Sequence, residues 1–278
     1  MSIWYSLCDL TSLPWLSMDF MKNALLAVIL MGPLFGILST MVVTGKMSFF
    51  SDALGHSGFT GIAVGVLCGS MFPIRWAVGF AVGFAVLFSF VKRRVTHATE
   101  TVIGVFSSTA VALGIFIATM NGSSFTKFNR YLIGDILSVT PGELGLLAIV
   151  LVVVAVVWIL ASNRLVLTAI HPQLASSRGI PVGIYELVFT VLIAVVVTLA
   201  MSWVGLMVIN SLLVLPAAAA RNIAKNLKQY HLVSSLGALL AGIVGLVSSY
   251  YLGSSTGAVI SLCLAVWFAV TFFVRKRG

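Results

Sequence analysis

Charged side chains are scarce in this sequence: only 8% of its 278 residues are Asp, Glu, Lys or Arg, against roughly 25% in a typical soluble domain. A water-soluble fold could not cover its surface with so few charges. Helices that face lipid need no such cover, because the bilayer is itself an apolar solvent. The shortage of charge therefore excludes an ordinary soluble domain.

Motifs for common enzymatic chemistry are also missing. The sequence has no Gly-x-x-x-x-Gly-Lys-Ser/Thr phosphate loop and no His-Glu-x-x-His zinc motif, so it cannot by itself hydrolyse ATP in the usual way. Its three cysteines, Cys8, Cys68 and Cys263, lie far apart, without the spacing of a redox or zinc motif. We predict that the chain is not an enzyme and that its energy comes from a partner or an ion gradient.

Apolar residues make up 60% of the chain, and each crossing of a bilayer takes about 20 of them. Residues 1–20 contain Trp4, Tyr5 and Trp15 and are expected to form an amphiphilic lead-in at the membrane interface. Residues 21–278 are expected to form one transmembrane domain. Hydropathy predicts an all-α bundle of about nine transmembrane helices, or eight, at 21–43, 52–70, 74–91, 101–120, 141–161, 184–202, 204–220, 232–251 and 255–274.

The net charge of +9 would suit a nucleic-acid partner, but the basic residues are scattered in twos and threes between apolar runs. That pattern predicts membrane topology and no nucleic acid. If the N-terminus is outside, twelve of the sixteen Lys and Arg residues fall in inner loops and four in outer ones. The positive-inside rule therefore predicts an N-out, C-in orientation.

Asp52 and His56 are ionisable residues in a segment that is predicted to cross the membrane, where each charge is costly and needs a partner or a purpose. Their spacing of four places both side chains on one helix face. A carboxylate and an imidazole so placed can hold one divalent cation of the zinc or manganese kind, and they can equally form an ion pair or a proton relay. Two ligands are too few for tight binding, but a transport pathway must release its ion. The remaining acids and histidines, among them His97 and Glu186, are expected in loops or at the interface.

A second polar group lies in the seventh predicted span, at Asn210 and Ser211, followed by Pro216. Pro216 removes a backbone hydrogen bond from the helix. Two interpretations stay open: a kinked helix that lines or gates a pathway, or polar side chains that join neighbouring helices by hydrogen bonds.

Two further patterns concern packing and loops. Glycines recur at four-residue spacing, which lets helix backbones approach closely in lipid; the sets are Gly32/Gly36, Gly61/Gly65/Gly69 and Gly79/Gly83. The long inner connection 163–183 has helix-forming residues between Pro172 and Gly179. A proline at the start and a glycine at the end predict a short surface helix there.

Several of these segments together resemble a known family. They are 46–56 with its Asp-x-x-x-His, the glycines of 61–65, the Tyr-Leu-Ile-Gly-Asp run of 131–140, and 205–221 with its Leu-Pro-Ala-Ala core. In this order they are similar to the permease subunits of zinc, manganese and iron ABC importers, and the Gly-Asp at 134–135 is most similar to the zinc-uptake permeases. The resemblance runs from about residue 21 to residue 275.

The resemblance implies a function and a set of partners. The chain would be a multi-pass permease of the bacterial plasma membrane, paired with a second permease copy and with two cytoplasmic subunits that bind ATP and Mg²⁺. An extracytoplasmic metal-binding protein would deliver the ion, zinc first and manganese next, with no permanently bound cofactor. The family motif assigns Asp52 and His56 as metal ligands and Asn210, Ser211 and Pro216 remain pathway or gating candidates. The stretch that would couple to the ATPase is His171, Pro172, Gln173, Leu174, Ala175, Ser176, Ser177, Arg178 and Gly179, with His171 where the family often has an acidic residue.

Alternative functions predict different sequence features. A siderophore or vitamin-B12 permease has a related fold but is usually longer, and the Asp52/His56 pair favours a bare ion. A carrier driven by a proton or sodium gradient would normally hold acids deep in several spans, whereas nearly all acids here lie in loops. An intramembrane hydrolase is disfavoured because Ser57 and His56 are adjacent, so their side chains point apart on a helix.

Overall fold

Eleven α-helices occupy most of the computed structural model, which describes residues 2–9, 14–94, 99–120 and 134–274. His97 and residues 121–133, which include the start of the Tyr-Leu-Ile-Gly-Asp run, lie outside the described residues. Two short 3-10 turns, Pro14–Ser17 and Ile136–Ser138, complete the described elements. The helices are α1 Ser2–Asp9, α2 Asp19–Thr44, α3 Phe50–Leu67, α4 Pro73–Arg94, α5 Thr99–Met120, α6 Pro141–Ile170, α7 Pro172–Ser177, α8 Val182–Val204, α9 Leu206–Ile223, α10 Leu227–Leu252 and α11 Thr256–Val274.

Nine of these helices have 18 residues or more and coincide with the nine predicted spans. Seven are long and apolar enough to cross a membrane. The two long helices outside these seven are α3, which carries Asp52 and His56, and α9, which carries Asn210. The predicted all-α membrane bundle is confirmed.

The helices group into two compact units. The first consists of Met1–Thr40, Gly134–Val157 and Ser211–Gly278. Within it α2 and α10 touch at glycines: a Cβ on Gly36 would lie 2.3 Å from the Cα of Ser235. Ser234 Oγ donates to the Gly36 carbonyl over 2.8 Å. This part of α2 therefore needs glycine to approach α10.

The N-terminal lead-in packs on the start of α2 in the same unit. Trp4 Nε1 donates to the carbonyl of Lys22 over 3.0 Å, and the Tyr5 hydroxyl donates to Asn23 Oδ1 over 2.7 Å. Trp15 is buried. These contacts give the lead-in a structural role, while its position at a membrane interface stays a prediction.

The second unit, Met41–Ile133 with Trp158–Asn210, is built around α3. Helices α4, α5 and α8 pack against it. A Cβ on Gly61 would lie 2.6 Å from the Cα of Ala77 in α4, and Thr60 Oγ1 donates to the Ala110 carbonyl of α5 over 2.7 Å. Gly79 and Gly83 have the same spacing but face open space. Four-residue glycine spacing therefore marks close contact on α3 and not on the outer face of α4.

Candidate metal site

Helix α3 is open on one face only. From Phe50 to Ala63 every residue is buried except Asp52 and His56. The two side chains keep 43% and 27% of their surface exposed. Because the rest of the helix is covered by the second unit, the open face carries little besides these two polar groups.

Asp52 and His56 lie side by side, as their spacing predicts. Asp52 Oδ2 is 3.5 Å from His56 Nε2. Asp52 is in the first turn of α3, where the positive end of the helix dipole favours a carboxylate. The local helix thus fixes the distance between the pair.

Asn210 completes the group. Its Nδ2 donates to Asp52 Oδ1 over 2.9 Å, so the amide holds one carboxylate oxygen and leaves the other toward His56. The sequence marked Asn210 as a pathway candidate but gave no sign of its contact with Asp52. That contact joins residues 158 positions apart, and only the tertiary fold brings them together.

Glycines allow this approach between α3 and the junction of α8 with α9. A Cβ on Gly55 would overlap Leu206 Cδ1 at 1.6 Å, and one on Gly58 would lie 2.9 Å from Met201 Sδ. The junction itself is Gly205, whose φ of 82° suits glycine and few other residues. Asn210 follows five residues later and so reaches the first turn of α3.

The other two pathway candidates, Ser211 and Pro216, belong to the first unit. Pro216 lies inside α9, and the next backbone N–H, that of Ala217, donates to Ser39 Oγ over 2.9 Å. Ser39 and Ala217 are fully buried. At this proline the structure therefore shows a hydrogen bond between α9 and α2, while the choice between the two interpretations of Asn210, Ser211 and Pro216 stays a prediction.

The inner connection forms the expected short helix, α7, with Pro172 at its first position. Gly179 follows it with φ of 72°. The N–H of Gly179 bonds the Ser176 carbonyl at 2.9 Å and the N–H of Ile180 bonds the Ala175 carbonyl at 3.0 Å, which is the Schellman pattern of a helix C-terminus. The proline and glycine signals are therefore confirmed.

Exposure along α7 is one-sided. Ala175 is fully buried, whereas its neighbours from His171 to Gly179 are exposed, and Leu174 keeps 43% of its surface. An exposed leucine on a short helix offers an apolar contact for another protein. A substitution at Ala175 would disturb the helix itself, so Leu174 is the better position for testing any docking.

Charged groups tie the flanking helices together beside α7. Lys92 of α4 pairs with Glu186 of α8, and both side chains are about four-fifths buried. Arg93 donates to the Gly183 carbonyl, and Arg164 donates to the Tyr185 hydroxyl over 2.6 Å. Glu186 is thus engaged in an ion pair within the second unit, and its position at the membrane interface stays a prediction.

The site supplies few metal ligands. Among the residues that the structure describes, no three or more of His, Cys, Asp and Glu lie close enough to hold a metal ion together. Asp52 and His56 offer one carboxylate oxygen and one imidazole nitrogen. Two ligands about 2.1 Å from one ion in a tetrahedral site are about 3.4 Å apart, close to the 3.5 Å observed here.

Comparisons with known proteins agree on one family. A family model described as the ABC 3 transport family matches residues 17–275. The manganese import system permease protein ScaB of Streptococcus parasanguinis is 33% identical over 93% of this chain and 91% of its own. The high-affinity zinc uptake system membrane protein ZnuB of Haemophilus influenzae is 27% identical over 93% and 99%. A chain of the solved structure of PsaBC from Streptococcus pneumoniae in complex with Fab is similar with a TM-score of 0.81 and 27% identity, covering 100% of this chain and 97% of that one.

Proposed function

The chain belongs to the ABC 3 transport family, and we propose that it is the membrane-spanning permease of an ATP-driven importer that carries zinc or manganese into a bacterial cell. The observation that supports this proposal best is the Asp52–His56 pair on the one open face of α3. Relatives named for manganese and for zinc both match nearly the whole chain. They favour this function over chelate transport or a gradient-driven carrier.

The geometry suits an ion that must be held and then released. An incoming cation would take Asp52 Oδ2 and His56 Nε2 as ligands, while Asn210 keeps Oδ1 in place. Structural zinc sites use four protein ligands, so two would bind weakly, and the remaining positions stay open for water or for groups of another chain. Weak binding is what conduction requires.

The ligand types give little selectivity between zinc and manganese. Imidazole suits zinc and a carboxylate suits manganese, and a mixed pair accepts both. We infer that selection between them depends largely on the extracytoplasmic protein that delivers the ion. Direct binding to the permease is therefore expected for zinc and for manganese.

Partner chains would supply the rest of the transporter. Because the chain lacks a phosphate loop, ATP and Mg²⁺ would bind to two separate cytoplasmic subunits, and a second permease copy would complete the membrane part. We propose that α7 docks on the ATPase through its exposed side, with Leu174 as an apolar contact. Closure of the ATPase pair would then move α7, and with it α6 and α8, between which α7 lies in the chain.

Uptake of radioactive zinc and manganese tests the site. Cells that lack their own importer and express Asp52→Ala or His56→Ala at normal levels should lose most uptake of both ions, because each change removes one of two ligands. Glu100→Ala is the matched control, since Glu100 is exposed and lies outside the site. Normal uptake by either site variant would refute the assignment.

Co-purification tests the docking of α7. Leu174→Glu should reduce the amount of ATPase subunit that purifies with the permease, because it places a charge in an apolar contact. Leu227→Glu is the control, as Leu227 is a similarly exposed leucine at 40% at the start of α10. A Leu174→Glu complex with full ATPase content and full transport would show that α7 does not couple through this face.

A further inference from the structure

An apolar groove runs along the outer face of the first unit, between α10 and α11. It encloses about 610 Å³. Residues at its rims remain widely exposed, with Leu240, Leu262 and Val266 at 59%, 65% and 62%. The α10 side of the groove is one helical stripe formed by Val233, Leu236, Gly237, Leu240, Ala241 and Val244. The same spacing of three and four residues repeats on α11 from Val259 to Val270, so both stripes face one slot.

The floor of the slot is set by a glycine and a tryptophan. A Cβ on Gly237 would lie only 2.8 Å from Trp267 Nε1. Because Gly237 has no side chain, the indole can approach α10 closely at this point of the groove.

The length of the slot matches one half of a bilayer. Val233 and Val244 lie eleven residues apart on α10, which at 1.5 Å per residue is about 16 Å. The hydrocarbon core of a bilayer is about 30 Å thick, so each leaflet contributes about 15 Å. One acyl chain of one leaflet would therefore fill the slot from end to end.

Basic residues lie close in the chain to one end of the slot. Ile223 lines that end, and Asn222 Nδ2 donates to Thr271 Oγ1 over 3.2 Å, so the ends of α9 and α11 meet at this point. Arg221 and Lys225, two residues before and two residues after Ile223 in the chain, are exposed. Long cationic side chains near the end of an apolar slot are groups that can bind an anionic lipid headgroup. The positive-inside rule places this end at the inner leaflet.

We propose that this groove is a binding site for an anionic phospholipid of the inner leaflet, with one acyl chain between α10 and α11 and the phosphate at Arg221 and Lys225. A second copy of the chain fits the charges poorly. Two copies with the same orientation, related by an axis along the membrane normal, would bring these basic residues together at one depth. An anionic lipid neutralises these charges instead. The proposal does not depend on which ion the protein carries.

Photolabelling of the full chain tests the site. The purified protein is placed in nanodiscs with phosphatidylglycerol that carries a diazirine in its acyl chain, or with the matching phosphatidylcholine. Phosphatidylglycerol should label peptides of α10 and α11 more strongly. Ala241→Phe fills the slot and should remove this label. Val152→Phe, at an exposed position of α6 that does not line the slot, should keep it.

Charge variants test the headgroup without touching the slot. Arg221→Gln and Lys225→Gln should each reduce the preference for phosphatidylglycerol about fivefold, the effect of one cation near an anionic headgroup. Lys228→Gln is the control, because Lys228 is exposed and lies nine residues before Gly237, on the other side of α10. Equal labelling by the two lipids, or labelling that survives Ala241→Phe, would overturn the proposal. A short cross-link between the Cys263 residues of two copies, in a Cys8→Ala/Cys68→Ala background, would also overturn it by placing a second copy in the slot.

Discussion

Replacing Asn210 with alanine would show whether metal binding depends on a fixed Asp52 carboxylate. Asn210 Nδ2 donates to Asp52 Oδ1 over 2.9 Å, and the free oxygen, Oδ2, faces His56 Nε2 at 3.5 Å. Partners that orient a ligating carboxylate are typically worth 10–100-fold in metal affinity. A hydrogen bond to a charged group contributes about 1.5–3 kcal/mol, which is the same range.

The exposure of Asp52 decides between the two ends of that range. Its side chain is 43% exposed, so water can replace part of the lost amide bond. We therefore expect Asn210→Ala to raise the Kd for zinc and for manganese about tenfold, at the lower end of the range for such partners. The folded state should be almost unaffected, since the removed contact is partly open to solvent.

The assay is direct metal binding by the purified permease together with its ATPase, measured by equilibrium dialysis with radioactive zinc and manganese. The delivering protein is left out, because its own affinity would hide that of the permease. Asn222→Ala is a matched control: Asn222 bonds Thr271 in the other unit. If Asn210→Ala binds both metals as tightly as the unaltered protein, Asn210 does not orient the carboxylate and the assignment of its role is wrong.

Two further predictions concern stability in detergent, measured as the melting temperature. Gly61→Ala should lower the free energy of unfolding by about 1–3 kcal/mol, because the new Cβ would lie 2.6 Å from the backbone of Ala77. Gly79→Ala is the control, because a Cβ there faces open space and should be neutral or slightly stabilising. Equal melting temperatures for the two variants would contradict this prediction. Lys92→Gln and Glu186→Gln should each lower the melting temperature, since each leaves a largely buried charge without its partner. The exchanged pair Lys92→Glu/Glu186→Lys should recover most of the loss, and a double variant no better than the singles would show that the ion pair is not the cause.

Local signals predicted local structure well. The short helix α7 follows from a proline that fits the first helical position and a glycine that can take the positive φ of 72° after the end. Both are properties of the backbone within a few residues. In the same way, a spacing of four residues is enough to place Asp52 and His56 on one helix face.

Contacts between distant segments could not be read from the sequence. Asn210 and Asp52 are 158 residues apart, and Lys92 and Glu186 are 94 apart. Which helices become neighbours depends on packing over the whole unit, and the residue pattern of either segment alone does not predict its neighbour. Gly79 illustrates the limit, since its four-residue spacing is the same as that of Gly61 but a Cβ at Gly79 would meet no atom within 4 Å.

The weak hydropathy of α3 has a structural cause that bears on function. A helix that faces lipid must be apolar over most of its surface, and α6 and α11, only 17% buried in their most apolar windows, are of this kind. Helix α3 is enclosed by α4, α5 and α8, so it faces protein on nearly all sides and can be rich in glycine, serine and threonine. That enclosure is what makes room for Asp52 and His56 at acceptable cost, because their open face need not meet hydrocarbon. Helix α3 is thus a long helix that hydropathy detects poorly, and it carries the pair on which the proposed ion pathway depends.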